Sequence, residues 1–323
     1  MTAKVRILPT GHEFSVEGNE SILDAALRAG LAMGYGCSNG NCGLCLGRVV
    51  SGEVRKIRHH DYILSAAEKA ARRVLLCSNT AAIDAVIEAP EAHGARDIPR
   101  QQITAKVRGM QRLSTDIMLL HLQTPRSKRL QFLAGQHVSL GLGGGLVQDH
   151  PIASCPCDDR NLYFHIPRVP ADPFADYIYT RLKNGADVAV DGPTGNFTLR
   201  GDASRPLLFV ACEHGFAPIK SLLEQAMAHE TGQPLHLYWI ARREDGHYAR
   251  NLCRSWADAL DNFHFTPLLA PDDLLPAGMA EGLPEPGKYD VYVAGPEPMV
   301  GMAERFLLDR GCARRRLLVD RLR

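Results

Sequence analysis

Read for the alternation of apolar and polar positions, the chain divides into three stretches of different rhythm. In the first, residues 1–92, Lys4–Leu8 and Glu13–Val16 are short strand-like runs separated by Pro9-Thr10-Gly11-His12, which is a hairpin signal. Ser21 precedes an apolar set at Ile22, Leu23, Ala25, Ala26, Leu27 and Ala29, so Ser21 or Asn19 can cap a helix that Gly30 ends. Leu46–Val50 and Ile83–Glu88 read as further strands, with a Gly-rich segment from Gly34 to Gly47 before the first of them. Strand, strand, helix, loop and strand in so short a span predict a β-grasp unit of the α+β class.

Residues 93–101 mix Pro, Gly and charge and read as a linker. In residues 102–200 the strand candidates are Ile103–Arg108, Ile117–Gln123, His137–Leu140, Leu162–Ile166 and Asp187–Val190, broken by Gly, Pro and Asp. That spacing predicts a small antiparallel β-barrel, interrupted by a helix at Phe174–Arg181. In residues 201–323 the rhythm changes to buried strands alternating with helices. Leu207–Cys212, Leu235–Ile240, His264–Leu269, Tyr289–Ala294 and Arg316–Asp320 are the strands. The helices are Pro218–His229, Asn251–Leu260 and Pro298–Arg310. The alternation implies an α/β domain with a parallel sheet, and the whole chain reads as multidomain.

Composition narrows the function. The 323 residues carry a formal net charge of +1, so no global field recruits nucleic acid. No run approaches 18 consecutive apolar residues, so no membrane span is expected. The first residues alternate apolar and charged side chains and lack the apolar core of a signal peptide, which points to the cytoplasm. Nine cysteines, an odd number, argue against a disulfide framework. Cys155, Cys157, Cys212, Cys253 and Cys312 are scattered and read as small apolar residues. No nucleophile triad, P-loop or paired-carboxylate pattern is present, and no catalytic side chain is named.

The other four cysteines carry chemistry. Cys37, Cys42 and Cys45 form C-x4-C-x2-C, and Cys77 follows 32 positions later. Three thiolates from one tight loop and a fourth from a distant strand end are the plant-type 2Fe–2S arrangement. Gly36, Gly40 and Gly43 allow the wrap and let backbone N–H groups approach the sulfurs. Zinc sites favour two C-x2-C pairs, and Cys77 has no nearby Cys or His.

On these residues the first stretch resembles plant-type ferredoxins. The remainder resembles the ferredoxin–NADP reductase superfamily, nearest to reductase components of bacterial oxygenases and to reductases serving deoxysugar dehydrases. The matching stretches are Phe132-Leu133-Ala134-Gly135-Gln136-His137-Val138, Gly192-Pro193-Thr194-Gly195-Asn196-Phe197, Gly215-Phe216-Ala217-Pro218-Ile219 and Ala294-Gly295-Pro296-Glu297-Pro298-Met299. The resemblance implies FAD in the barrel and NADH or NADPH in the α/β domain. It implies cofactor contacts at His150, Pro151, Ile152, Ala153, Ser154, His165, Ile166, Gly192, Gly195 and Phe197. Further contacts are implied at Gly215, Ala217, Pro218, Arg242, Gly295, Pro296 and Met299. In the resembled fold Arg242 and Arg243 face the adenosine ribose, where they either hold a 2′-phosphate or lie on the surface.

The chain departs from that pattern at defined positions. The family's flavin motif is Arg-x-Tyr-Ser, in which Arg neutralises the pyrophosphate, Tyr stacks on the isoalloxazine and Ser bonds the flavin N5. Here Gln148-Asp149-His150-Pro151 stands in its place, and Ala175 replaces a frequent pyrophosphate-binding Ser. Relatives carry Gly-Gly-Thr-Gly where this chain has Cys212-Glu213-His214-Gly215. Two readings follow. One is a reductase passing electrons from NAD(P)H through FAD to the cluster and on to a protein acceptor, an oxygenase or dehydrase component. The other is a ferredoxin-like electron-transfer or assembly protein whose reductase half has lost flavin or nicotinamide.

Overall fold

A computed structural model of the chain describes residues 2–200, 205–229, 232–270, 279 and 282–322. The first unit is built on β1 (Thr2–Leu8) and β2 (Glu13–Glu17), an antiparallel hairpin in which alternate residues Val5, Ile7, Phe14 and Val16 are buried. Helix α1 (Ile22–Arg28) packs its apolar face on this hairpin. Its N-cap is Ser21, whose Oγ accepts the Asp24 N–H at 3.0 Å. β3 (Leu46–Ser51), β5 (Arg73–Leu75) and β7 (Ala85–Glu88) complete a five-stranded sheet of order β2-β1-β7-β3-β5. β4 (Val54–Lys56) and β6 (Asn79–Ala81) pair separately, and α2 (Ala66–Ala70) precedes β5. The β-grasp expectation holds. The short strands β4, β5 and β6 lie below the length at which alternation becomes readable.

The second unit is one antiparallel sheet, order β11-β10-β13-β8-β9-β12, whose edge strands approach each other so that the sheet nearly closes. Its strands are β8 (Gln101–Arg112), β9 (Ile117–Gln123), β10 (His137–Gly141), β11 (Val147–Pro151), β12 (Asn161–Pro167) and β13 (Asp187–Thr194). Helix α3 (Pro173–Thr180) packs Phe174 and Ile178 into the barrel core. β11 escapes a reading by alternation because its sequence is Val-Gln-Asp-His-Pro and only its last two residues are buried. Gly192 and Pro193 lie inside β13.

The third unit is a parallel sheet of order β16-β15-β14-β17-β18. Its strands are β14 (Leu207–Cys212), β15 (Leu235–Ala241), β16 (Phe263–Leu269), β17 (Asp290–Pro296) and β18 (Leu317–Leu322). α4 (Phe216–Ala228), α5 (Arg250–Ala259) and α6 (Glu297–Asp309) connect the strands. Both faces of β14 are covered, by clusters around Phe209 and Trp239 on one side and Val210 and Val293 on the other. A strand buried on both faces reads as a continuous apolar run, which is why the bounds of β14 match the expected ones.

Candidate functional site

The loop between α1 and β3 carries Cys37, Cys42 and Cys45, and the turn between β5 and β6 carries Cys77. Cys37, Cys45 and Cys77 are buried, whereas Cys42 is exposed. The thiols meet two by two: Cys37 with Cys42, and Cys45 with Cys77. Among the described residues no three His, Cys, Asp or Glu side chains converge on a single ion. Pairwise grouping is what a two-iron cluster needs, since each iron takes two thiolates. Within each pair the surroundings favour thiolate on one partner, Cys37 and Cys77, while Cys42 is pushed up by burial and Cys45 by its bond to Cys77 and by burial. Hydrogen bonding from Cys45 and then Ser78 pulls the Cys77 thiol down to about 6, against the effect of burial. Backbone N–H groups of Asn39, Asn41 and Cys42 lower Cys37, and the Leu44 N–H points at Cys42 Sγ at 3.5 Å. Gly43 has a φ of +77°, and a Cβ there would stand 2.3 Å from the Tyr62 ring, so the loop admits no side chain. The four sulfurs, their amide donors and the tight loop fit the cluster.

This loop is fastened to the barrel by residues that carry no sequence signature. The Arg129 N–H donates to Gly36 O at 2.9 Å, and the Ser38 N–H donates to Arg126 O at 3.2 Å. The Arg129 guanidinium bonds Ser38 Oγ at 2.8 Å and pairs with Asp159, Asp159 being buried and the Arg129 side chain nearly so. Burial pushes the Asp159 carboxyl up to about 6, with Arg129 pulling the other way. Tyr35, beside the first cluster cysteines, hydrogen-bonds the same carboxylate. The Gln131 side chain reaches back to Met33 O at 2.9 Å.

A cavity of about 530 Å³ opens where β11, β12 and the start of α3 meet the turn at His214 and the end of β18. His150 lines it, stacked 5.1 Å from Phe174, and its Nε2 has no hydrogen-bond partner in the protein. Burial holds His150 down to about 4. His165 is held down to about 3 by burial, aided by Lys220 and His214. Its Nδ1 meets the Tyr248 hydroxyl at 3.0 Å. His137 bonds Asp320 at 2.7 Å, tying β10 to β18. The Gln148 Oε1 is also buried without a partner. Orphaned buried polar atoms cost about 1–3 kcal/mol each unless a ligand answers them. The cavity size, the flat imidazole wall and these orphans suit the polar edge of a flavin ring.

A second cavity of about 340 Å³ adjoins the first, sharing Pro167, Val169 and His214. It lies at the carboxyl ends of β14, β15 and β17, where open α/β sheets bind ligands. Gly215 permits the close approach there, since a Cβ would stand 2.0 Å from Ala294 O. Glu213, whose charge would repel a diphosphate, is satisfied locally. It accepts the Arg242 N–H at 2.7 Å and lies 3.8 Å from that guanidinium. Arg243 is held by Asp116 at 2.6 Å and Asp245 at 2.9 Å.

The sequence-derived contacts fall in several places. His150, Pro151 and His165 line the first cavity; Arg242 and Pro296 line the second. Ile152 and Ile166 are in the barrel core. Ala153 O accepts from Lys220 Nζ at 3.1 Å, and Ser154 Oγ accepts the Tyr163 N–H at 3.3 Å. Gly192 packs on Val138, Gly195 lies near His137, and Phe197 packs on Tyr292. Ala217, Pro218 and Met299 are buried in first helical turns, and Gly295, next to the end of β17, has a φ of +142°. Cys155 and Cys157, expected as free small residues, are joined by a disulfide because the turn at Pro156 brings them together. His137, His214 and Gln148, whose roles composition does not reveal, complete the first cavity.

Three family models match in the order of the three units. Residues 5–81 match a 2Fe-2S iron-sulfur cluster binding domain, 104–199 an oxidoreductase FAD-binding domain and 209–305 an oxidoreductase NAD-binding domain. Reductase component 2 of terephthalate 1,2-dioxygenase from a Comamonas species is 30% identical, over 87% of this chain and 83% of that one. The chain belongs to this family of ferredoxin-type reductases. The reductase is an NAD(P)H-dependent oxidoreductase whose cofactors are a 2Fe–2S cluster, FAD and NAD(P)H. It is also similar to the CDP-6-deoxy-L-threo-D-glycero-4-hexulose-3-dehydrase reductase of Yersinia pestis, at 27% identity over 99% of this chain and 98% of the relative. A cytochrome P450 reductase of Amycolatopsis shares its fold with a TM-score of 0.64 and 26% identity, over 99% and 98% of the two chains. Among the described residues no helix of the reductase is long and apolar enough to cross a membrane.

Proposed function

We propose that this reductase delivers single electrons from its cluster to a separate protein, an oxygenase component or a deoxysugar dehydrase component, in the cytoplasm. The observation that carries the reading is the contiguity of the sites. Two adjoining cavities share a wall at His214, and the cluster loop is bonded to the barrel through Arg129. The proposed divisions are a cluster domain at 1–92, a linker at 93–101, a flavin domain at 102–200 and a nucleotide domain at 201–323.

When bound, the flavin supplies the conversion of a two-electron hydride into the single electrons that a cluster accepts. The chain's own residues position and insulate. Phe174 and His150 form the wall for the ring, and Tyr248 fixes the tautomer and orientation of His165. The neutral imidazoles add no charge to the cavity. The four cysteines hold the irons. Arg129 keeps the cluster loop against the barrel and so limits the gap an electron must cross. Exposed Cys42, with Leu44 62% exposed two residues on and Ile63 86% exposed next to Tyr62, whose ring lies against Gly43, supports this edge as the exit to the acceptor. The engagement of both Arg242 and Arg243 by carboxylates supports NADH over NADPH, because a 2′-phosphate finds no free guanidinium there.

Anaerobic mixing with NADH in the presence of cytochrome c as a one-electron acceptor tests the reading. The wild-type chain reduces cytochrome c catalytically. A chain that carries flavin and cluster, yet leaves cytochrome c and every other one-electron protein acceptor oxidised, contradicts it.

A further inference from the structure

The first cavity holds a second message in its charges. The carboxylates lining it are Asp149 and Asp172, and the one Arg or Lys is Arg321. Arg321 is charge-compensated: its Nε bonds Glu297 at 2.5 Å and its Nη2 pairs with Glu304. The N-terminus of α3, the natural seat for an anion in such a cavity, already has its own anion in the N-cap Asp172. Pro173 has no N–H, and the Phe174 N–H is taken by Asp172 Oδ1 at 3.0 Å. The Asp176 N–H bonds Asp172 O at 3.0 Å. Gln148 turns its amide N–H toward Asp172 Oδ2 at 3.3 Å, so the carboxylate is fixed as a resident anion. Asp149 is bonded by Ser139. A diphosphate here meets two carboxylates and one guanidinium already held between two others. The unanswered polar atoms include His150 Nε2 and Gln148 Oε1, a buried imidazole nitrogen and an amide oxygen. The isoalloxazine edge presents an N–H flanked by two carbonyls, a partner for both kinds of atom.

We propose that this cavity recognises a flavin by its ring and not by its phosphates, so that riboflavin, FMN and FAD bind with similar affinity. The proposal rests on the reading of the first cavity as the flavin site. Two features follow from it. The adenosine diphosphate half of FAD is a passenger, and the resident anion Asp172, held by Gln148, is the specificity-determining group.

The test is a fluorescence titration of the flavin-stripped full-length chain with riboflavin, FMN and FAD at fixed ionic strength. Dissociation constants within tenfold of one another support the proposal. FAD binding a hundredfold tighter than riboflavin overturns it while leaving the reductase reading intact. No binding of any of the three overturns both. Two variants make the result directional. Gln148→Arg supplies the missing cation, and Asp172→Ser removes the resident anion while keeping a capping side chain. Each is expected to raise the ratio of FAD to riboflavin affinity at least tenfold, the two variants serving as independent checks should one fold poorly. Ratios unchanged in a folded variant contradict the proposed role of Asp172.

Discussion

The cluster loop and the flavin cavity solve the same problem, holding a redox group, in opposite ways. At the cluster the binding groups are four side chains of one type, their spacing is fixed, and the backbone around them is so tight that Gly43 admits no Cβ. At the cavity the walls are contributed by β11, β12, α3, a turn and the end of β18, with side chains of many types. Covalent ligation by thiolate tolerates no change of element. Non-covalent binding of a large planar ring spreads over shape, stacking and a few polar atoms, and survives the exchange of several residues. Accordingly the cluster end is a set of four cysteines, whereas the flavin end presents the amide of Gln148 and an α3 N-terminus capped by Asp172.

The comparison breaks first at the cysteines. Cys42→Ser is expected to abolish the visible absorption of the cluster and at least a hundredfold of the one-electron output. Reduction of a flavin-accepting dye by NAD(P)H remains. Absorption spectra and paired assays with cytochrome c and the dye read both. Loss of dye activity in a folded variant would place the cluster ahead of the flavin.

The next largest effect is expected at the join. Arg129→Ala leaves Asp159 buried without its partner and cuts the guanidinium bond to Ser38. Removing one member of a buried ion pair costs about 3–5 kcal/mol. Urea unfolding measures that loss. Stopped-flow reduction of the cluster is expected to slow tenfold or more, since the loop is no longer held to the barrel.

These two positions also mark what the chain reveals before its structure is known. The cysteines were legible because spacing and residue type together specify the chemistry. The parallel sheet was legible because strands such as β14 are apolar throughout. Arg129 and Asp159 were not, because a buried ion pair between positions 30 residues apart leaves no periodic trace. β11 was missed because Gln148, Asp149 and His150 face a cavity and not a core, so the strand has no apolar alternation. The disulfide at Cys155 and Cys157 was missed because two cysteines around a proline look the same whether paired or free.

Histidine burial sharpens the contrast through pH. His150 and His165 are held at about 4 and about 3 in the fold, against an ordinary value near 6.5. Below 6.5 the unfolded chain takes up protons that the folded chain refuses, so stability is full above that pH and falls as pH drops toward the folded values. Between pH 6.5 and 5 the loss is about 2 kcal/mol per imidazole. Urea unfolding at pH 7 and pH 5 measures it, and His165→Gln is expected to remove one imidazole's share of the slope. The smallest effect is at α2, where Ser65 and Glu68 form a capping box beside the cluster loop. Ser65→Ala is expected to cost about 1 kcal/mol and leave the cluster spectrum unchanged.

The central claim is the order of electron flow, and anaerobic stopped-flow absorbance with NADH tests it most directly. The account predicts that flavin absorbance falls first and cluster absorbance follows, and that a flavin-stripped chain shows no bleaching of the cluster. Cluster bleaching by NADH without flavin, or a flavin reduced beside a cluster that stays oxidised, would contradict it.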